Sequence, residues 1–194
     1  GLVGSEMCIR DSSATVPSYE DEFDKRADIY NYDLSLKNHL EEMLERDQAY
    51  RTQWILSRQL HHEETQDDIA LRLRADSIDS LNQVEIRQIL KEHGFPKKTE
   101  VGTSACEAAW IIIQHAPLDV QKEYLPMLER AATEGNIQAA LVAALHDRID
   151  VREGRPQKYG TQRNHNGICP LLNKKMVNQW RKEVGLPPLD EYSK

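Results

Sequence analysis

His115 closes the run Trp110-Ile111-Ile112-Ile113-Gln114-His115-Ala116, where a side chain that titrates near neutral pH ends an otherwise apolar segment. An imidazole so placed suits general acid–base chemistry if a carboxylate orients it. Asp47 and Asp147 are the candidates. Asp47 lies four residues after Met43 and three before Tyr50, and Asp147 shares a helical face with Ala140 and Ala143. Both fall where a core is expected, and a buried charge is costly unless it is paired and hydrogen-bonded. Arg51, four residues after Asp47, and Arg148, next to Asp147, are placed to hold an anionic group on a small-molecule or peptide ligand. Gln48, Asn82, Gln114, Gln157, Tyr159, Thr161 and Gln162 would add directional hydrogen bonds, and Gly160 would let the backbone approach closely. This set describes a hydrolase or lyase in which His115 is the general acid/base and Asp47 or Asp147 its partner. It calls for no Ser or Cys nucleophile, no metal and no cofactor.

Such residues need helices to position them. From Asp33 to about His61, Leu36, Leu40, Met43, Tyr50 and Trp54 recur at steps of three, four and seven, the pattern of one amphipathic helix. A short piece around Ile69 to Leu73 precedes a helix capped by Asp76 or Ser77, which carries Ile78, Leu81, Ile86, Ile89 and Leu90 and stops at Gly94. Asn82 interrupts its stripe. Ser104-x-x-Glu107 has capping-box spacing ahead of a helix apolar on every side. Pro117 can open the next helix, Pro126 should kink or restart it, and Gly135-Asn136 should end it. Ile137, Leu141, Ala144 and Leu145 mark another helix. After Val151 periodicity is lost for some twenty residues; a loop that long in a compact domain is usually functional, and here it would cover a pocket. A last helix spans roughly Asn173 to Val184. The expectation is an all-α, single-domain bundle of six or seven helices with one long polar loop near the C-terminus.

The 194 residues, with 39% apolar and 29% charged side chains, suit one domain with a real core. A net charge of −7 argues against a general nucleic-acid binder, and no apolar run reaches the roughly 20 residues of a membrane span. Residues 1–12 read as a non-native, adapter-derived stretch of the kind that ends proteins from environmental assemblies. Residues 13–32 read as a polar arm, and 33–194 as the domain. The compartment is therefore unknown. The chain is cytoplasmic as written, yet a signal peptide or lipoprotein anchor is compatible with it. Cys106 reads as core packing, and Cys169, beside Pro170, has no context that would activate a thiolate. His61-His62-Glu63-Glu64 points its side chains around a helix rather than at one ion.

Two further readings compete with the acid–base enzyme. One is a metal-dependent, phosphohydrolase-like enzyme using His115 with the doublet His146-Asp147, although further ligands are hard to assign and His165 with Cys169 make a poor set. The other is a helical binding or regulatory module that catalyses nothing. A convergent concave site favours an enzyme; an exposed apolar patch favours a partner.

The motifs W-x-x-x-Q-H-A at 110–116, Asp147-Arg148, Q-x-Y-G-T-Q at 157–162 and R-x-x-V-G-L-x-P-L at 181–189 together resemble a bacterial domain family of unknown function. Asp47-Gln48-x-x-Arg51 and Gly94-Phe95-Pro96 fit the same pattern, so the resemblance covers about residues 36–192. It implies that these polar residues belong together and carries no activity with it. His146 falls outside the pattern.

Overall fold

The computed structural model describes residues 31–60, 64–164 and 166–189. The 1–12 stretch, nearly all of the 13–32 arm, His61-His62-Glu63 and His165 lie outside the described residues. The chain forms α1 (Leu34–Leu60), α2 (Gln66–His93), α3 (Lys98–His115), α4 (Leu118–Thr133) and α5 (Ala139–Arg152). A long loop with two-residue strands β1 (Arg163–Asn164) and β2 (Gly167–Ile168), paired antiparallel, leads to α6 (Val177–Glu183). The architecture is an all-α bundle. No helix among the described residues is long and apolar enough to cross a membrane.

The bundle is organised around α3. Its Ala105, Cys106, Ala108, Ala109, Trp110, Ile112 and Ile113 are all buried, as a helix without a polar face requires. It packs on α1, α2 and α4. Its start differs from the capping box read at Ser104: Gly102 takes φ +81° and breaks the helical path, while the Ser104 hydroxyl donates to Glu41 of α1 and accepts from Lys37 Nζ at 3.3 Å. With Asp47 meeting His115 further along, α1 and α3 run in the same direction. On α1 the expected stripe is present, Leu40 and Met43 fully buried and Asp47 buried in line with them.

The largest departure concerns α2, which is one helix of 28 residues rather than a short piece followed by a second helix. Its cap is Thr65: the Thr65 hydroxyl accepts from Asp68 N at 3.1 Å and Asp68 accepts from Thr65 N at 2.8 Å. Hydrogen bonds from Ser57 and the Thr65 backbone hold the Asp68 carboxyl down to about 2. Ser77, read as a cap, instead donates back to Leu73 O at 2.9 Å, and Ser80 to Asp76 O at 3.0 Å, as mid-helix serines do. The buried face of α2 is Ala75, Asn82, Ile86, Ile89 and Leu90; Leu81 is exposed. Asp79 consequently lies well inside the helix.

Pro126 sits within an uninterrupted α4, on its exposed side, where water can serve the carbonyl left without a donor. Gly135 at φ +78° and an Asn136 N–H donated to Ala131 O at 2.8 Å end that helix in a Schellman turn. The carbonyl end of α3 is closed by side chains from both following helices. Gln121 of α4, fully buried, donates to Gln114 O at 2.5 Å, and Arg152 of α5 donates to Ala116 O at 3.2 Å.

Candidate functional site

Helices α1, α2 and α3 bring four ionisable side chains together. Asp47, 1% exposed, receives His115 Nδ1 at 3.0 Å on each of its two oxygens. Arg51 donates from Nε to Asp47 Oδ2 at 3.3 Å and from Nη2 to Asp79 Oδ1 at 2.5 Å, bridging the two carboxylates, and Gln48 donates to Asp47 Oδ2 at 2.7 Å. The side chains of His115, Arg51 and Asp79 are 7%, 17% and 19% exposed. One donor atom each from Asp47, Asp79 and His115 lies within 4.8 Å of the others.

Electrostatics separate the two carboxylates. Burial pushes the Asp47 carboxyl up, but hydrogen bonding and charge from His115, joined by Arg51, outweigh it and hold the group below its ordinary range. At Asp79 burial prevails over the Arg51 bond, the Asp47 charge adds to it, and the carboxyl is raised. A carboxyl held lower in the folded than in the unfolded chain stabilises fully above its unfolded value of about 4, and that contribution fades as pH falls through the folded value. Asp47→Asn is therefore expected to flatten the acid limb of the stability curve below about pH 4, measured by urea unfolding across that range. Equal acid slopes in the variant and the wild type would refute this assignment.

Asp147 belongs to a second, separate group. It is completely buried, and its carboxylate accepts Lys158 N at 2.8 Å, Tyr159 N at 2.9 Å, Thr161 N at 2.9 Å and Thr161 Oγ1 at 2.9 Å. Burial pushes this carboxyl up against the pull of those donors. Gln157, also completely buried, knits the same loop: its amide donates to Gln162 O at 2.8 Å and Cys169 O at 2.9 Å, and its Oε1 accepts Gln162 N at 2.8 Å. Gln162 reaches Ala144 O of α5 at 3.3 Å, and Arg181 of α6 donates to Tyr159 O at 2.7 Å.

Asp147, expected as a catalytic partner, and Gln157, Tyr159, Gly160, Thr161 and Gln162, expected as substrate ligands, thus gather in a group of their own rather than around His115. The Asp147 carboxylate and the Gln157 amide satisfy buried backbone groups of the loop, and among the described residues no hydrogen bond or ion pair links this group to Asp47, Arg51, Asp79 or His115. Gly160 completes the turn at φ +70°, where an added Cβ would lie 2.5 Å from Leu189 Cδ1 and 3.0 Å from Leu171 Cδ2. Gly160→Ala is expected to cost about 1–3 kcal/mol, mostly backbone strain because the leucine ends can shift, and a thermal melt reads the loss. An unchanged melting temperature would mean the turn is not held as described.

Three other expected ligands are placed differently. Asn82 is fully buried between α1 and α2, accepting Arg46 Nε at 2.6 Å and donating to Met43 O at 3.3 Å, so it joins helices. Gln114 is buried and its carbonyl is engaged by Gln121, whereas Arg148 is half-buried on α5. Arg51 does join the His115 group, where it pairs with Asp47 and Asp79. His146, half-buried, pairs with Glu129 at 2.7 Å, so the His146-Asp147 doublet does not converge with His115. Cys169 is buried, and that burial pushes its thiol up, which disfavours a thiolate. A separate cleft of about 300 Å³ opens between the first turns of α1 and the last turns of α2, lined by His39, Glu85 and His93 among others; it contains none of the expected residues.

Asp47, Gln48, Arg51 and His115 cluster in one place and the Gln157–Gln162 loop in another, so the polar residues singled out from the sequence fall into two groups. A family model described as "Family of unknown function (DUF6624)" matches residues 34–194. The chain belongs to this family. No curated protein and no solved structure matches it. The DUF6624 match runs from the first residue of α1 through both groups, so both lie inside the family's domain.

Proposed function

We propose that the chain is a small-molecule hydrolase or lyase in which His115, oriented by Asp47, serves as general acid and base. The observation that carries this reading is the geometry of the imidazole. Nδ1 is hydrogen-bonded at 3.0 Å to both oxygens of a buried carboxylate, while Nε2 has no hydrogen-bond partner among the described residues. A carboxylate on Nδ1 selects the tautomer with its proton there and leaves the Nε2 lone pair to take a proton from water or substrate. The imidazolium so formed faces Asp47, which stabilises it until the proton passes to the leaving group.

Panels of esters, amides, phosphoesters and eliminable hydroxy and amino acids test the reading against wild type, His115→Ala, Asp47→Asn and the surface control His146→Ala. Proton-transfer catalysis contributes roughly 100-fold or more, so His115→Ala should lose at least that, Asp47→Asn somewhat less, and His146→Ala nothing. Turnover that survives His115→Ala removes the imidazole from the chemistry.

One observation favours a helical binding or regulatory module instead. Leu73, Leu81 and Val84 are 55%, 59% and 71% exposed on α2, within a single outward sector of the helix. Substitution of all three by serine without effect on association in cell extract speaks against that role.

A further inference from the structure

We propose that Asp47, Asp79 and His115 form a binding site for one divalent metal ion, for which the Arg51 guanidinium is a built-in competitor. The three donors come from α1, α2 and α3, so the packing of three helices, not a local turn, sets their geometry. Donors around one small cation at about 2.1 Å stand roughly 3–4 Å apart, and a spread within 4.8 Å needs only slight closure to reach that. Two carboxylate oxygens and one imidazole nitrogen suit Mn²⁺ or Zn²⁺ and leave positions open for water.

Charge balance points the same way. Asp47 and Asp79 together face one guanidinium, and a divalent ion that displaced Arg51 would match their two negative charges. The site also lies at the last turn of α3, the carbonyl end of the helix, where a cation is favoured. Gln48, donating to Asp47 at 2.7 Å, orients a would-be ligand as the outer partners of metal ligands do.

Gln83, one turn beyond Asp79 on α2, donates to Ile112 O at 3.0 Å, three residues before His115, and so ties together two of the helices that supply the donors. Arg51 holds the same two carboxylates and, at the end of a flexible stem with 17% exposure, can leave them. By contrast, His39, Glu85 and His93 around the other cleft are substantially exposed, and His39 is already bonded to Glu85.

The ion would take up Asp47 and the imidazole that the acid–base reading uses, so the two readings are alternatives for the same residues and are tested separately. The test of the metal site is titration of the EDTA-treated full chain with Mn²⁺, following the loss of the free-ion electron paramagnetic resonance signal. One ion per chain is expected, with Asp79→Asn weakening binding at least about tenfold and Arg51→Met tightening it by about as much. His39→Ala/His93→Ala should bind as wild type does. If Arg51→Met does not fold, Arg51→Gln, which keeps a donor for Asp47, takes its place.

Absence of saturable binding in both the wild type and the Arg51 variant overturns the proposal. So does binding that Asp79→Asn leaves unchanged, or binding lost in the His39/His93 variant. Turnover after EDTA treatment with no Mn²⁺ binding would overturn this site alone; Mn²⁺ binding with turnover that survives His115→Ala would overturn the acid–base reading alone.

Discussion

Asp147→Ala is expected to lower folding stability by about 3–5 kcal/mol. The carboxylate is the common acceptor for three backbone N–H groups and one hydroxyl, all from residues 158–161. Removing it strands those donors in a site with no solvent exposure, and each stranded donor costs about 1–3 kcal/mol before relaxation admits water. Asp147→Asn should cost less, because one carbonyl oxygen still accepts while the new NH₂ faces donors. Urea unfolding monitored by circular dichroism measures both losses. A loss below about 1 kcal/mol for the alanine variant would show that the loop does not depend on this carboxylate.

Arg51→Met should cost about 2–3 kcal/mol near neutral pH, discounted for the partial exposure of the guanidinium. The physical cause is the pair it leaves behind, since Asp47 and Asp79 then face each other without the guanidinium that bridges them. Asp79, whose carboxyl is already raised, would rise further. A carboxyl raised in the folded state favours folding fully below its unfolded value and loses that contribution as pH rises through the folded value. The Arg51→Met penalty is therefore largest near neutral pH and shrinks in mild acid as Asp79 takes up its proton. Adding Asp79→Asn should recover part of the loss at pH 7, and the double-mutant cycle gives the coupling. Equal penalties at pH 4.5 and pH 7.5 would contradict the arrangement.

The α1 stripe was legible because Leu36, Leu40 and Met43 recur at helical steps and Asp47 breaks the pattern in register. Placing Arg51 four residues later made the ion pair readable as well. Asp79 was not legible, and the reason is the start of α2. With a cap at Ser77, Asp79 is an ordinary first-turn acid; with the cap at Thr65, it is a mid-helix charge facing α1. The signal that could have found it was Thr65-Gln66-Asp67-Asp68, a capping-box spacing with Asp in the place of Glu.

The internal bonding of the loop was not legible for a different reason. A segment rich in Gln, Thr and Tyr looks the same whether its side chains serve a ligand or its own backbone. Sequence spacing does not tell which, because the answer depends on Asp147 reaching the loop from α5.

The two polar groups also differ in how far apart along the chain their members lie. Asp147 meets its partners 11–14 residues away, whereas Asp47 meets His115 across 68. Closing the longer span costs about 1.5 kcal/mol more loop entropy, so the Asp147 loop can assemble as a local unit while the charged centre must wait for α1 and α3 to dock. The loop's network is thus local in sequence, whereas the ionisable cluster exists only once three separate helices are packed together.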